Sequence, residues 1–114
     1  MEAKELMVGD WVKMRLPDNL YTETAQLDSI DAVLHGRLIV EPIPITPEIL
    51  ELNAKYDDID NCYTIGCIQF FRQDEGEYWL DCYYGIITFK YVHELQHVLR
   101  ICSLNDLADN LKIK

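Results

Sequence analysis

The chain has 114 residues, of which 49% are hydrophobic and 26% charged, a balance typical of a folded protein with one domain or two very small lobes. Its 20 acidic residues outnumber its 10 Lys and Arg residues, and the resulting net charge of -10 argues against contacts that depend on neutralising nucleic-acid or lipid phosphates. No apolar run approaches the roughly 20 residues of a membrane span, and residues 1–10 do not resemble a secretory signal. We therefore expect a cytoplasmic protein that contacts neither nucleic acid nor membrane directly.

The four cysteines are expected to be thiols, because disulfides are rare in the reducing cytoplasm. They are Cys62, Cys67, Cys82 and Cys102. Three of them lie in apolar sequence, where cysteine packs as a small hydrophobic residue. We expect no cofactor.

The first 45 residues predict three or four short strands. Val12, Met14 and Leu16 alternate along one face of the first strand. Residues 22–34 favour a second extended stretch, and residues 37–41 favour another, which prolines terminate. This pattern predicts a small bent sheet or an SH3-like barrel.

A helix is predicted to follow this lobe. Thr46 is a favourable N-cap, and Pro47 suits the first helical position. Ile49, Leu50 and Leu52 would form the apolar face of this short helix.

The remaining sequence predicts an acidic loop at residues 57–61, three strands and a second helix. The strands are expected at residues 63–71, 78–84 and 86–90, as an antiparallel meander. Residues 91–104 have the apolar spacing of an amphipathic helix.

These elements predict an α+β fold. We expect a β-rich, SH3-like lobe at residues 1–45 and a helix–meander–helix lobe at residues 46–114, with a single continuous domain as the alternative.

His93, Glu94 and His97 match the zinc-protease motif H-E-x-x-H. Two histidines four residues apart on a helix can bind zinc, while the glutamate polarises a zinc-bound water. A catalytic zinc site needs a third protein ligand, however, and the only acids downstream are Asp106 and Asp109. We therefore expect the match to be accidental and the protein not to be an enzyme.

The phase of the helix supports this interpretation. Its apolar stripe consists of Val92, Leu95, Val98, Leu99 and Cys102. His93 and His97 fall on roughly the opposite side, at about 100° per residue. We expect both rings to face solvent or a partner.

Other metal and nucleophile interpretations are weaker. A finger built from Cys62, Cys67, His93 and His97 would hold 25 residues between its two pairs, far more than the roughly 12 of a zinc finger. The acidic loop lacks the glycine and the closing glutamate of a calcium-binding EF-hand loop. A nucleophilic pair of Cys102 and His97 has no local support, because Cys102 lies on the apolar stripe.

Three segments, residues 6–12, 41–50 and 90–97, occur in an order that resembles a family of small proteins of uncharacterised function from Bacteroidetes genomes, often in prophages or other mobile elements. The resemblance covers most of the chain. It implies a cytoplasmic protein with a mobile-element background and implies no activity.

The chain departs from the usual family pattern at Pro47, Glu94 and His97. The family usually has Gln and Asn where this chain has Glu94 and His97. Since these two departures complete the zinc-protease motif, they favour an accidental match.

The leading hypothesis is a non-enzymatic protein–protein interaction factor or phage accessory protein, whose surface would include the aromatic residues Trp11, Trp79 and Tyr83. A protein partner is expected.

The alternative is an acidic mimic of nucleic acid that binds a basic host protein. Its candidate residues are Glu41, Glu48, Glu51, Asp57, Asp58, Asp60, Asp74, Glu75 and Glu77. A zinc metalloprotease through His93, Glu94 and His97 is the third hypothesis.

Overall fold

The computed structural model describes residues 5–18, 21–74, 76–82 and 85–113. The chain divides into an N-terminal unit, residues 1–43, and a C-terminal unit, residues 44–114. Each unit has its own antiparallel sheet, and helices accompany both. The predicted α+β class is thus confirmed. The boundary predicted from the sequence, between residues 45 and 46, lies two residues further along the chain.

In chain order, the strands and helices are β1 (Trp11–Arg15), β2 (Glu23–Gln26), α1 (Asp31–Leu34), β3 (Ile39–Glu41), α2 (Pro47–Asn53), β4 (Lys55–Asp57), β5 (Cys62–Ile65), β6 (Ile68–Asp74), β7 (Glu77–Cys82), β8 (Gly85–Phe89), α3 (Val92–Ile101) and α4 (Asn105–Asp109).

The N-terminal unit is a small three-stranded sheet in the order β2-β1-β3, the first of the two predicted arrangements for this lobe. Its hydrophobic core contains Leu6, Val12, Leu27 and Val40. Asp10 is fully buried beside them, and its Oδ2 atom accepts the N–H of Met7 at 2.8 Å. This hydrogen bond compensates part of the cost of burying a carboxylate.

Two local predictions for this unit are corrected. Leu16 follows the end of β1 and is 53% exposed, so it does not continue the buried face. Within residues 22–34 the only strand is the short β2, and the last four of these residues form α1. Strand β3 pairs with β1 and not with β2.

Helix α2 is confirmed, including its first residues. Thr46 is the N-cap, and its Oγ1 atom accepts the N–H of Ile49 at 3.3 Å. Ile49 and Leu50 are buried, whereas Leu52 is 43% exposed and does not belong to the buried face as predicted. Asn53 ends the helix and exchanges two hydrogen bonds of 2.7 Å with the backbone of Lys112. The helix is thereby fixed at both ends.

The C-terminal unit contains a five-stranded antiparallel sheet in the order β4-β5-β6-β7-β8, so the predicted three-stranded meander is extended by two strands. The stretch predicted as one strand at residues 63–71 is divided by a tight turn at Gly66. Gly66 has a φ of +59°, which a glycine adopts without strain. The predicted acidic loop is partly strand, because β4 includes Asp57.

One face of this sheet is buried and rich in aromatic rings. Phe70 is fully buried, and its ring lies 5.5 Å from Tyr63, 5.9 Å from Tyr78 and 5.4 Å from Phe89, measured between ring centroids. Burial raises the pKa of the Tyr78 hydroxyl; Tyr63 adds to this effect and Arg72 opposes it. The hydroxyl of Tyr78 is therefore neutral at physiological pH.

Two helices complete the C-terminal unit. Helix α3 confirms the predicted amphipathic helix, although it ends at Ile101, and α4 occupies residues for which no element was predicted. Gln96 of α3 is fully buried and donates from Nε2 to the carbonyl oxygen of Ala108 in α4 at 3.0 Å. None of the described helices is long and apolar enough to cross a membrane.

Candidate functional site

The structure places the two histidines of the H-E-x-x-H match in different environments. His93 is buried, and its ring stacks on Tyr91 at a centroid distance of 5.9 Å. His97 is half-buried and lies edge-on to His93 at 5.6 Å. The prediction that both rings face solvent is therefore wrong for His93, because α3 buries a wider arc than its apolar stripe, including His93 and Gln96.

Glu94 occupies the third position of α3 and closes the start of the helix. Its Oε1 atom accepts the N–H groups of Lys90 and Tyr91, each at 3.1 Å. This is the glutamate half of a capping box, which satisfies backbone donors that have no partner within the helix. The position of Glu94 in the motif thus has a structural explanation.

The candidate metal ligands that the sequence analysis considered do not form a metal site among the residues described. Within that part of the chain, no group of three or more His, Cys, Asp or Glu side chains is arranged to hold a metal ion. Cys62 is buried in β5, whereas Cys67 is exposed at the turn that follows. Cys62, Cys67 and Cys102 are thiols, not disulfides.

We expect Glu94→Ala to lower the free energy of unfolding by about 1 kcal/mol, because two backbone N–H groups lose their acceptor. Glu94→Gln retains an acceptor and should lose less. Urea unfolding of the three proteins measures both effects. Glu51→Ala, an exposed glutamate on α2, is the control and should change stability by less than about 0.5 kcal/mol. Unchanged stability in Glu94→Ala would contradict the capping role.

A narrow groove runs between β8 and α3, which we call the β8–α3 groove. It has a volume of about 190 Å³. Its lining includes Ile87 and Phe89 of β8, and Glu94, His97, Val98 and Ile101 of α3. The groove therefore contains two residues of the zinc-protease match, but most of its surface comes from apolar side chains.

Strand β8 forms one edge of the five-stranded sheet, and among the described residues no strand pairs with its second side. All five residues of β8 are uncharged. The opposite edge, β4, has only three residues, including the charged Lys55 and Asp57. Short strands and charges protect sheet edges against further pairing, so β4 is a protected edge. Strand β8 has neither feature, but the chain directly after it is paired, because Tyr91 forms a β-bridge with Pro44 and the carbonyl oxygen of Lys90 accepts the N–H of Ile45 at 3.0 Å.

The two predicted aromatic interaction residues that the structure describes belong to different units of the chain. Trp11 is half-buried in β1 of the N-terminal unit, and Trp79 is half-buried in β7 of the C-terminal unit. Trp79 stacks on Phe71 at 4.8 Å and does not line the β8–α3 groove. Tyr83 lies outside the described residues. The sequence signal for the groove was the uncharged run at residues 85–89, which includes none of Trp11, Trp79 and Tyr83.

All the acidic residues of the mimicry hypothesis except Glu41 belong to the C-terminal unit. Their exposed members in the described structure are Glu41, Glu48, Glu51, Asp58 and Asp60. Asp57 and Glu77 are half-buried, and Asp57 accepts the N–H of Ile59 at 2.9 Å. The side chain of Asp74 and the whole of Glu75 lie outside the described part of the chain. Mimicry remains a prediction.

Comparisons with protein-family models, with curated proteins and with solved structures found no match. The function of this chain must therefore be inferred from its own residues.

Proposed function

We propose that this chain is a non-enzymatic interaction protein in which β8 receives an extended segment of a partner protein as a sixth strand of the sheet. The observation that supports this proposal best is the uncharged, five-residue edge strand beside the β8–α3 groove. Strand addition at a sheet edge next to a groove is a recurring mode of peptide recognition. In this mode the backbone provides affinity and the groove provides selectivity.

The backbone geometry of β8 supports strand addition. In an antiparallel ladder, every second residue directs its N–H and C=O groups away from the paired strand. Since β8 pairs with β7 from Gly85 to Phe89, at least two of its residues direct these groups outward. A partner segment of four or five residues could form several hydrogen bonds there.

The side chains next to this edge offer apolar contact. Ile86 is 70% exposed on β8, and Ile101 is 58% exposed at the end of α3. Ile101 and the half-buried Ile87 line the groove, whereas Ile86 lies on the opposite face of β8. Burying apolar surface stabilises a complex by about 25 cal/mol per Å². Covering these side chains would therefore favour a partner strand with an apolar residue at every second position.

Charge favours a basic partner segment over a second copy of the chain. The chain has a net charge of -10, which would oppose self-association and attract a basic segment. Acidic side chains also flank the edge, because Glu94 lines the groove and Asp81 lies directly opposite Ile86. The proposed occupant is therefore an extended segment in which apolar and basic residues alternate.

This role agrees with the sequence resemblance to mobile-element proteins of Bacteroidetes, and we propose a cytoplasmic location on that basis. The capping role of Glu94 and the burial of His93 support a non-enzymatic interpretation of the H-E-x-x-H match. No contact in the described structure favours the nucleic-acid mimic over ordinary acidic solubility.

The test uses labelled eight-residue peptides of alternating Lys and Val, with fluorescence anisotropy as the measurement. We expect the basic peptide to bind and an alternating Glu and Val peptide not to bind. Methylation of alternate backbone nitrogens should weaken binding at least tenfold, since it removes strand hydrogen bonds. Ile86→Lys should have a similar effect, because a lysine at the edge opposes both pairing and a basic partner.

Ile59→Lys is the matched control, because Ile59 is 88% exposed in the turn after β4 and the charge change is identical. Binding should be nearly unchanged in this variant. Equal losses in the two variants would show that only net charge matters and would overturn the proposal. The proposal also fails if the peptides do not bind, or if sedimentation shows a dimer that Ile86→Lys dissociates, since the occupant would then be a second copy.

A further inference from the structure

A second cavity, of about 620 Å³, lies in the C-terminal unit and shares no described lining residue with the β8–α3 groove. Its size is within the range of small-molecule sites. Thr64, Gln69, Phe71 and Asp81 line it together with the more buried Ile68 and Leu80. None of the described lining residues is Lys, Arg or His.

The register of the sheet explains why four of these side chains meet. Thr64 lies directly opposite Gln69, and Phe71 lies directly opposite Trp79. Side chains two residues apart in a strand share a face, so Gln69 and Phe71 lie on one face of β6, and Trp79 and Asp81 lie on the same face of β7. This face is opposite the one that contains the buried Phe70.

Besides apolar side chains and the thiols of Cys67 and Cys102, the cavity lining contains hydrogen-bond acceptors beside an aromatic ring. Asp81 provides a carboxylate, Gln69 an amide oxygen and Thr64 a hydroxyl oxygen. The ring of Phe71 is stacked on Trp79 with an interplanar angle of 27°, which makes an aromatic platform at the cavity wall. A guanidinium group is a planar cation with five donors, and it both stacks on aromatic rings and pairs with carboxylates.

We propose that this cavity binds a guanidinium group, with Asp81 as its ionic partner, Phe71 as its stacking surface, and Gln69 and Thr64 as additional acceptors. The cavity and the β8–α3 groove share none of their described lining residues, and Asp81 is the one residue that both proposals use. The group can belong to a small guanidine compound or to an arginine side chain of a peptide.

The test is a chemical-shift titration of the ¹⁵N-labelled protein with ethylguanidinium chloride at constant chloride concentration. We expect saturable shifts at the side-chain amide of Gln69 and the backbone amide of Asp81. N-ethylurea, a neutral analogue of similar shape, should bind at least tenfold more weakly, and propylammonium, which is not planar, should also bind more weakly. Binding of N-acetyl-arginine amide distinguishes a small guanidine compound from the arginine side chain of a peptide. Only an open cavity admits the peptide backbone of this ligand.

Asp81→Asn should weaken ethylguanidinium binding about tenfold. Asp60→Asn removes the same charge from an exposed turn and should leave binding within about twofold, so the pair separates a local contact from net charge. Equal losses in the two variants, equal binding of N-ethylurea, or shifts that do not saturate at Gln69 and Asp81 would each overturn the proposal. Phe71→Leu should also weaken binding if the ring is the stacking surface, and unchanged binding would remove that part of the proposal.

Discussion

Replacing Phe70 by alanine is expected to lower the free energy of unfolding of the C-terminal unit by about 3–5 kcal/mol. Phe70 is fully buried, and three aromatic rings lie within 6 Å of its ring centre. The substitution removes this buried surface and leaves a cavity that rigid neighbouring rings cannot fill. Such a loss is a large part of the 5–15 kcal/mol that stabilises a typical domain.

The adjacent residue provides the control for this prediction. Phe71→Ala is the same chemical change on the opposite, half-exposed face of β6, so its cost should be less than half as large. Urea unfolding followed by Trp79 fluorescence, in a Trp11→Phe background, reports on the C-terminal unit. Equal losses for Phe70 and Phe71 would mean that the buried face of the sheet has been assigned incorrectly.

Gln96→Met is expected to destabilise the C-terminal unit by about 1–3 kcal/mol although the side-chain volume hardly changes. The methionine cannot donate to the carbonyl oxygen of Ala108, a residue that is itself fully buried. Since this hydrogen bond joins α3 to α4, amide exchange in α4 should accelerate more than exchange in the sheet.

Gln73→Met makes the same substitution at an exposed position of β6 and should change stability by less than about 0.5 kcal/mol. Hydrogen-exchange mass spectrometry and urea unfolding of the two variants test the difference. If Gln96→Met is as stable as the unsubstituted protein and α4 exchanges normally, the hydrogen bond between the two helices contributes little.

The elements that the sequence predicted well have strong local signals. Helix α2 follows from Thr46 as N-cap and Pro47 at the first position, and both act over a single turn. Helix α3 follows from apolar residues at helical spacing. The short α4 has no comparable signal, because a five-residue helix depends on tertiary contacts for its stability.

The division of residues 63–71 into β5 and β6 was missed because Gly66 alone separates two strongly extended segments. A glycine within such a run is compatible with a bulge or with a turn. Packing leaves no room for a side chain at this turn, since a Cβ atom on Gly66 would lie 2.9 Å from Leu107 and 3.1 Å from Leu104. These leucines are about 40 residues away in sequence, and no local pattern contains that contact.

The sequence indicated neither of the two proposed sites. Helical periodicity assigned His93 to solvent, because periodicity separates apolar from polar residues and does not detect a polar side chain that packs in the core. The unprotected edge at β8 depends on strand order, and the acceptor-rich cavity depends on register across three strands. Both are long-range properties of the sheet.

The sequence by itself determined the α+β class, the acidic charge, helix α2 and the amphipathic character of α3, since these depend on composition or on contacts within a few residues. Only the tertiary structure decided that Gln96 is buried, that β4 and β5 join the sheet, and that β8 is its uncharged edge. The physical reason is that hydrogen-bond partners and strand neighbours come from segments distant in the chain. The periodicity of a segment shows which of its residues share a face. It does not show which other segment packs against that face.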